Sequence, residues 1–327
     1  MKKISIIIPM YNVVQHLEQC IFSVFNQQLP ESDFEVVMVD DGSPDNSFEV
    51  AKRLTLENKN VKVIHQENKG LGGARNTGIL NATGDYLLFL DADDRLFPNV
   101  LSGLLHITRE HDVDILEFGA QGINSSNKIL YEIKNTSEVF FSGFEYYITI
   151  RYMHSACNKL YKRNFLMDNT IYFLEKIYIE DFEFNTRCLA NARKLKATDL
   201  VISQFLQSVN SITRNSDETK RQKMVGDMIL VIKKTDELYR SSVKNRVQSS
   251  FYLERLNFLV ATLFYQLVKR KTSYSEMKAL KIQLKTANLF YVNHRIFDRR
   301  KNIFRILFLR NLWLYKIYNF LIGKNGK

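Results

Sequence analysis

Two hydrophobic periods alternate through the first 120 residues, and that alternation narrows the fold more than any other feature of the chain. Short continuous apolar runs occur at Ile4–Ile8, Glu35–Val39, Val61–His65, Tyr86–Leu90 and Asp114–Phe118. Helical patterns separate them at Val14–Gln27, Asn46–Glu57, Gly73–Asn81 and Pro98–Glu110. Continuous runs imply strands buried on both faces, so the pattern predicts an α/β, Rossmann-like domain with a mostly parallel central sheet covered by helices on both sides. Residues 120–142 are polar and read as extended segments and loops. A helix is expected at Asp181–Ala192 and a strand at Lys196–Phe205. From Asp217 the pattern is helical, at Asp217–Leu238, Lys244–Lys269 and Ser275–Ala287. The polar stretch Ser211–Asp217 therefore divides a domain of residues 1–215 from a helical region of residues 216–327.

Open sheets of this kind bind ligands beyond the carboxyl ends of their strands. Three strands end in polar clusters: Pro9-Met10-Tyr11-Asn12, Asp40-Asp41-Gly42-Ser43 and Asp91-Ala92-Asp93-Asp94. Asp45, after Pro44, is expected to cap the following helix. Three carboxylates within four residues repel one another unless a cation or N–H donors neutralise them. Their D-x-D spacing lets two of them face one point, which suits a hard divalent ion that also binds ligand phosphates. The blander alternative is a solvated turn capped by Asp94. An EF-hand is disfavoured, because the loop lacks its glycine and its closing glutamate. The glycine-rich segment Asn68–Gly78 fits neither a P-loop nor a dinucleotide fingerprint, although its glycines permit close backbone approach and Arg75 suits phosphate.

Together, Ser5–Asn12, Val39–Ser43, Gly73–Gly78 and Gly84–Asp94 resemble the family 2 glycosyltransferases in order and spacing. The resemblance covers roughly residues 4–100 and implies a GT-A fold, a nucleoside-diphosphate sugar donor, and Mn2+ or Mg2+ at the D-x-D. By that resemblance Asp41 recognises the base, usually uracil, and Pro9 and Tyr11 line the nucleoside pocket. Arg75 lies near that pocket or the diphosphate. Asp91 faces the donor ribose or sugar and joins Asp93, the expected direct ligand, at the metal. Asp40 and Asp94 are open between direct contact and supporting roles.

Ile179–Phe184 matches the family's E-D element at a helix start. Inverting transfer needs a general base beside the acceptor hydroxyl, and Asp181 is the candidate, with Glu180 contacting acceptor or metal-bound water. The alternative is an acidic first turn favoured by the helix dipole. Cys157–Arg163 resembles a W-N-K-L-Y-K-R segment of bacterial polysaccharide members, with Cys157 where Trp is usual. Asn158 and Lys159 are open between lining the acceptor side and packing. Gln207–Arg214 resembles a further segment in which Ser211 and Arg214 would contact the diphosphate. The histidines, including His65, His106, His111 and His154, form no metal-binding spacing.

Net charge is +11, but its placement is uneven. Residues 1–254 carry 30 basic and 33 acidic side chains, whereas residues 255–327 carry 16 basic and 2 acidic. No nucleic-acid partner is expected from a catalytic half that is net acidic and lacks the usual signatures. Three widely spaced cysteines fit a reducing, cytoplasmic setting. The apolar run after Lys3 is too short for a signal peptide, and no stretch is long enough to span a bilayer. Asn302–Ile322 reads as a basic amphipathic helix with Trp313, Tyr315 and Phe320, its polar side carrying Asn302, Arg305, Lys316 and Asn319. Residues 299–322 are therefore expected either to lie on the inner face of an anionic membrane or to pack on their own domain.

The reading is an inverting, metal-dependent glycosyltransferase, moving a hexosyl or N-acetylhexosaminyl group from a nucleoside-diphosphate (UDP) donor to a glycan or lipid-linked acceptor in polysaccharide synthesis. The alternatives are a sugar nucleotidyltransferase, whose usual glycine-rich loop with a basic signature is absent after the first strand, and a degenerate transferase acting as a scaffold.

Overall fold

The computed structural model describes residues 3–150, 153–207 and 218–317. The chain forms two compact units, Met1–Arg214 and Asn215–Lys327. In the first, the elements in order are β1 (Ile4–Met10), α1 (Val14–Phe25), β2 (Phe34–Asp40), α2 (Ser47–Glu57), β3 (Val61–His65), α3 (Gly70–Asn81), β4 (Tyr86–Phe89), β5 (Arg95–Leu96) and α4 (Leu101–His111). There follow β6 (Ile115–Ile123), β7 (Ile129–Ile133), α5 (Gly143–Thr149), β8 (Lys159–Lys162), α6 (Arg163–Asp168), α7 (Glu180–Asn191) and β9 (Leu195–Leu206).

One sheet runs β3-β2-β1-β4-β8-β6-β9-β5, with β7 paired to β6. Its first four strands are parallel, and β1 and β2 are buried along their whole length, as in a sheet covered on both faces. Beyond β4 the sheet is mixed: β8 is antiparallel to both β4 and β6, and β9 is parallel to β6. The sequence pattern after residue 120 does not display this change of direction, because edge strand β7 is exposed and β8 spans only four residues. The core below the sheet is formed by residues such as Ile6, Ile8, Val36, Met38, Leu88 and Leu116 against Leu17, Ile21, Leu101 and Leu104.

Parallel register aligns Met10 with Asp40 and Ile7 with Phe89, so the ends of β1, β2 and β4 lie at one edge. Asp45 ties this edge together rather than acting only on α2. Its Oδ1 accepts from the Ser47 amide, and its Oδ2 accepts from the Val14 amide at the start of α1.

The second unit contains α8 (Glu218–Ser241), α9 (Arg246–Lys269), α10 (Tyr274–Thr286) and α11 (Arg299–Phe304), which continues as a π turn over Arg305–Leu309. Asn245 caps α9, and Ser273 with Glu276 forms a reciprocal capping box on α10. Here the structure corrects the continuous amphipathic helix expected from Asn302. The helix widens at Arg305, turns at 310–312, and resumes over 313–317. Arg305, expected on the solvated side, is buried and donates to the Val292 carbonyl and to Asn302 Oδ1. Tyr315 is also buried, its hydroxyl donating to the Thr272 carbonyl at 2.7 Å. Asn319, Phe320, Ser211 and Arg214 lie outside the described residues.

Candidate active site

The site begins at the end of β2. Asp41 is buried, and its Oδ1 accepts from the Lys69 amide at 2.8 Å and from Gln66 Nε2 at 2.6 Å. This bond pins the start of α3 to the sheet edge. The glycine-rich segment, expected to become helical at Gly73, is already helical from Gly70, which takes a φ of +75°. Its glycines admit the chain's own backbone: a Cβ at Gly72 would lie 2.4 Å from the Leu174 carbonyl oxygen, and one at Gly78 would lie 2.2 Å from Ile7 Cγ2. Held this closely against β1 and residues 173–176, α3 directs Arg75 into the sheet edge.

Arg75 is 1% exposed and meets three carboxylates. Its Nη2 donates to Asp91 Oδ1 at 2.8 Å, and its Nη1 donates to Asp181 Oδ1 at 2.6 Å and Glu180 Oε1 at 3.1 Å. Nη2 also lies 3.5 Å from Cys157 Sγ. Burial alone would disfavour the guanidinium charge, but Asp181, Asp91 and Glu180 outweigh it and push the pKa well above the usual arginine value. The guanidinium also sits 5.2 Å from the Phe173 ring, which stacks on Phe184 beneath it. Arg75, expected beside the nucleoside or the diphosphate, lies between the D-x-D and the E-D element, with its donors directed at protein carboxylates.

Asp91 follows β4 and remains partly exposed beyond the Arg75 contact. Asp93 accepts no hydrogen bond from another described residue, and burial and the nearby Asp91 push its carboxyl up to about 6, against the opposing pull of His16. A carboxyl repelled by its neighbour, within a set of hard oxygen donors, fits a divalent cation. Asp94 points inward instead: it is buried, its Oδ1 accepts from the Leu206 amide at 2.8 Å, and burial and its acidic neighbours push its pKa well up. Asp40 is fully buried with Oδ2 2.7 Å from His65 Nδ1, a supporting position behind Asp41. Pro9 is buried within β1, whereas Tyr11 is 52% exposed just beyond it.

Glu180 and Asp181 open α7. Asp181 Oδ2 accepts from the Ala156 amide at 3.0 Å, and its side chain is 26% exposed. Glu180 is buried, and desolvation and neighbouring Asp181 push its carboxyl up to about 7 although Arg75 opposes them. The antiparallel β8 brings Cys157 to this group, since Leu160 pairs with Leu88. Asn158 and Lys159 are buried: Lys159 Nζ donates to the carbonyls of Met153 and Ser155 and to Asn158 Oδ1, and lies 3.5 Å from Glu117 Oε2. These two residues hold the loop before β8 and turn inward. Lys159 and Glu117 form a buried pair that local sequence did not signal, because the two residues are far apart in the chain. A cavity of about 590 Å³ opens at the other end of the strands, beside Lys3, Asp85 and Arg163, and shares none of these groups.

Comparisons with known proteins bear on the family and the fold. The family model for Glycosyl transferase family 2 matches residues 5–175. The uncharacterized glycosyltransferase EpsJ of Bacillus subtilis (strain 168) is 32% identical over 222 residues, covering 64% of this chain and 62% of EpsJ. The poly(ribitol-phosphate) beta-N-acetylglucosaminyltransferase TarS of Staphylococcus aureus (strain MW2) is 29% identical over 198 residues, covering 60% of this chain and 34% of TarS. The crystal structure of S. aureus TarS 1-349 in complex with UDP-GlcNAc superposes with a TM-score of 0.64 at 22% identity, covering 88% of this chain and 78% of that one, and shares the fold. The chain thus spans less than two thirds of the length of these curated relatives. A family match across more than half the chain, on the motifs that build this sheet edge, shows that the protein belongs to glycosyl transferase family 2.

Proposed function

We propose that the protein transfers a sugar, with inversion, from a UDP-sugar to a hydroxyl of a glycan or lipid-linked acceptor in surface-polysaccharide synthesis. The observation that carries this reading is the convergence, through one buried arginine, of a carboxylate at the end of β4 with two at the start of α7. Asp41 and the exposed ring of Tyr11 lie at the same sheet edge and suit a nucleoside, with Pro9 shaping the backbone beneath. The relatives support the donor and acceptor classes, since one solved neighbour holds UDP-GlcNAc and the curated relatives include poly(ribitol-phosphate) glucosyl- and N-acetylglucosaminyltransferases.

Asp93 and Asp91 would hold Mn2+ or Mg2+. Among the described residues no group of three or more His, Cys, Asp or Glu forms a protein-only cage, so ligand oxygens would complete the shell. Such an ion, when bound, stabilises charge on the departing diphosphate. Asp181 is the better-exposed carboxylate of its pair and is the proposed base for the acceptor hydroxyl. Its carboxylate is oriented by Arg75 at Oδ1 and by the Ala156 amide at Oδ2, while Glu180 sets the charge balance around the arginine.

The test is turnover of a nucleotide-sugar panel by wild type, Asp93→Ala and Asp181→Asn, each verified as folded. Losses of about 10²-fold or more are expected for both. Full transfer by either variant refutes the role given to that residue. Released nucleoside diphosphate, rather than pyrophosphate, separates transfer from nucleotide activation.

The second unit supports a peripheral membrane location. Ile303, Ile306, Leu307, Trp313 and Ile317 are exposed, alternating with exposed Arg299, Arg300, Arg310 and Lys316. No helix among the described residues is long and apolar enough to cross a membrane. Interfacial docking of this basic, aromatic surface is therefore the proposed mode.

A further inference from the structure

A second concentration of charge lies in the C-terminal unit, apart from the carboxylate site. The end of α10, residues 288–293 and the π turn enclose a shallow cavity of about 410 Å³. Three cations line it, Lys281, Lys285 and Arg310, and no carboxylate does. Asn288 and Asn293 add neutral side chains able to donate.

The lysines are arranged, rather than merely present. Lys281 is half-buried, its Nζ donates to the Leu309 carbonyl at 2.7 Å, and it lies 5.1 Å from the Phe290 ring. Lys285, one helical turn on, lies 5.9 Å from the same ring. Both ammonium groups are thus gathered about one aromatic ring. Burial and the nearby Lys285 pull the Lys281 pKa below the usual lysine range, as expected where like charges are held close. None of the three cations has a carboxylate partner among the described residues. The acid behind the cavity, Asp236, is already engaged by Arg240 and the Tyr291 hydroxyl.

Local dipoles do not cancel this charge. The Leu309 carbonyl accepts from Lys281, and the C-terminus of α10 supplies only about half a negative charge. Most of the positive charge of the three cations therefore remains over an open cavity. A compact anion with several acceptor oxygens matches that deficit better than a single carboxylate does.

We propose that Lys281, Lys285, Arg310 and the flanking asparagines form a binding pocket for a phosphate group, carried by a lipid headgroup or by a soluble phosphate ester. It does not depend on the transferase assignment. It also differs from general attraction of the 299–322 segment to a membrane, because two of its three cations lie on α10. Arg310, next to the exposed apolar side chains of the tail, would let one phosphate be held while those side chains meet an interface.

The test compares full-length wild type with Lys285→Gln/Arg310→Gln and a charge-matched control, Lys233→Gln/Lys278→Gln, whose residues are exposed and lie outside the cavity. Inorganic phosphate binding is measured by calorimetry. Vesicle binding is followed through emission of the single tryptophan, Trp313, with phosphatidylglycerol in phosphatidylcholine against phosphatidylcholine alone. Each lost charge-assisted contact should weaken binding on the order of tenfold. Loss in the pocket variant but not the control, for phosphate alone, assigns the pocket to soluble phosphate. The same selective loss on phosphatidylglycerol vesicles assigns it to a headgroup. If neither probe distinguishes the pocket variant from the control, the pocket is refuted, whatever the outcome for transfer activity.

Discussion

Arg75 shows how one side chain joins elements that are distant in the chain. Its motif was visible in the sequence, but its partners were not: Glu180 and Asp181 lie more than 100 residues away. Removing a partner from a buried charge network typically costs about 3–5 kcal/mol, because the remaining charges stay desolvated and unpaired. Arg75→Ala should therefore destabilise the protein by roughly that amount in urea unfolding. Arg75→Lys keeps the charge but loses the planar fork, so it should recover part of the stability and little of the transfer rate. Equal recovery of both would show that the fork geometry is unimportant. Glu180 offers a test by pH. Its folded-state pKa, near 7, lies above that of an unfolded carboxyl, so the native state holds its proton more tightly. Its contribution to stability is therefore present at low pH and is lost as pH rises towards 7. Glu180→Gln, which cannot ionise, should gain in Tm relative to wild type between pH 5 and pH 8. A constant difference across that range would contradict the raised pKa.

Among the elements, α3 carries most of the positional accuracy. Its glycines permit close backbone approach, and in the structure the approach at Gly78 and Gly72 is made by Ile7 and Leu174. Gly78→Ala would force the helix away from β1, at a cost of about 1–3 kcal/mol. The same shift would displace Arg75, so transfer should fall further than stability explains; turnover and thermal unfolding on one preparation check this. The short strand β8 does comparable work by delivering Cys157 and the loop before it, held by Lys159. Neither consequence was legible locally. A four-residue strand has too little pattern, and antiparallel insertion between β4 and β6 is a pairing of distant segments. By contrast β1, β2, α1 and α4 were readable because long runs of one period bury a whole face or stripe.

For the molecule as a whole, the net charge of +11 belongs to the helical C-terminal unit. The tail was read as one amphipathic helix, but Arg305 and Tyr315 turn inward and the helix breaks between them. The apolar side chains left outside are a different set from those a continuous helix would present. Leu307→Ser/Trp313→Ser should leave stability within about 0.5 kcal/mol, since both side chains are exposed. The same change should weaken sedimentation with anionic vesicles without altering transfer to a soluble acceptor. Undiminished vesicle binding would show that this surface does not mediate docking.

The family, the parallel half of the sheet and the identity of the acidic motifs were all present in the linear order of residues. They depend on local periodicity and on spacing within short segments, which a sequence displays directly. Tertiary structure alone decided which carboxylates share Arg75, which of the triplet points outward, and which cations of the tail region gather into a pocket. Those outcomes depend on through-space contacts between segments far apart in the chain, where burial and neighbouring charge, rather than residue type, determine what each group can do.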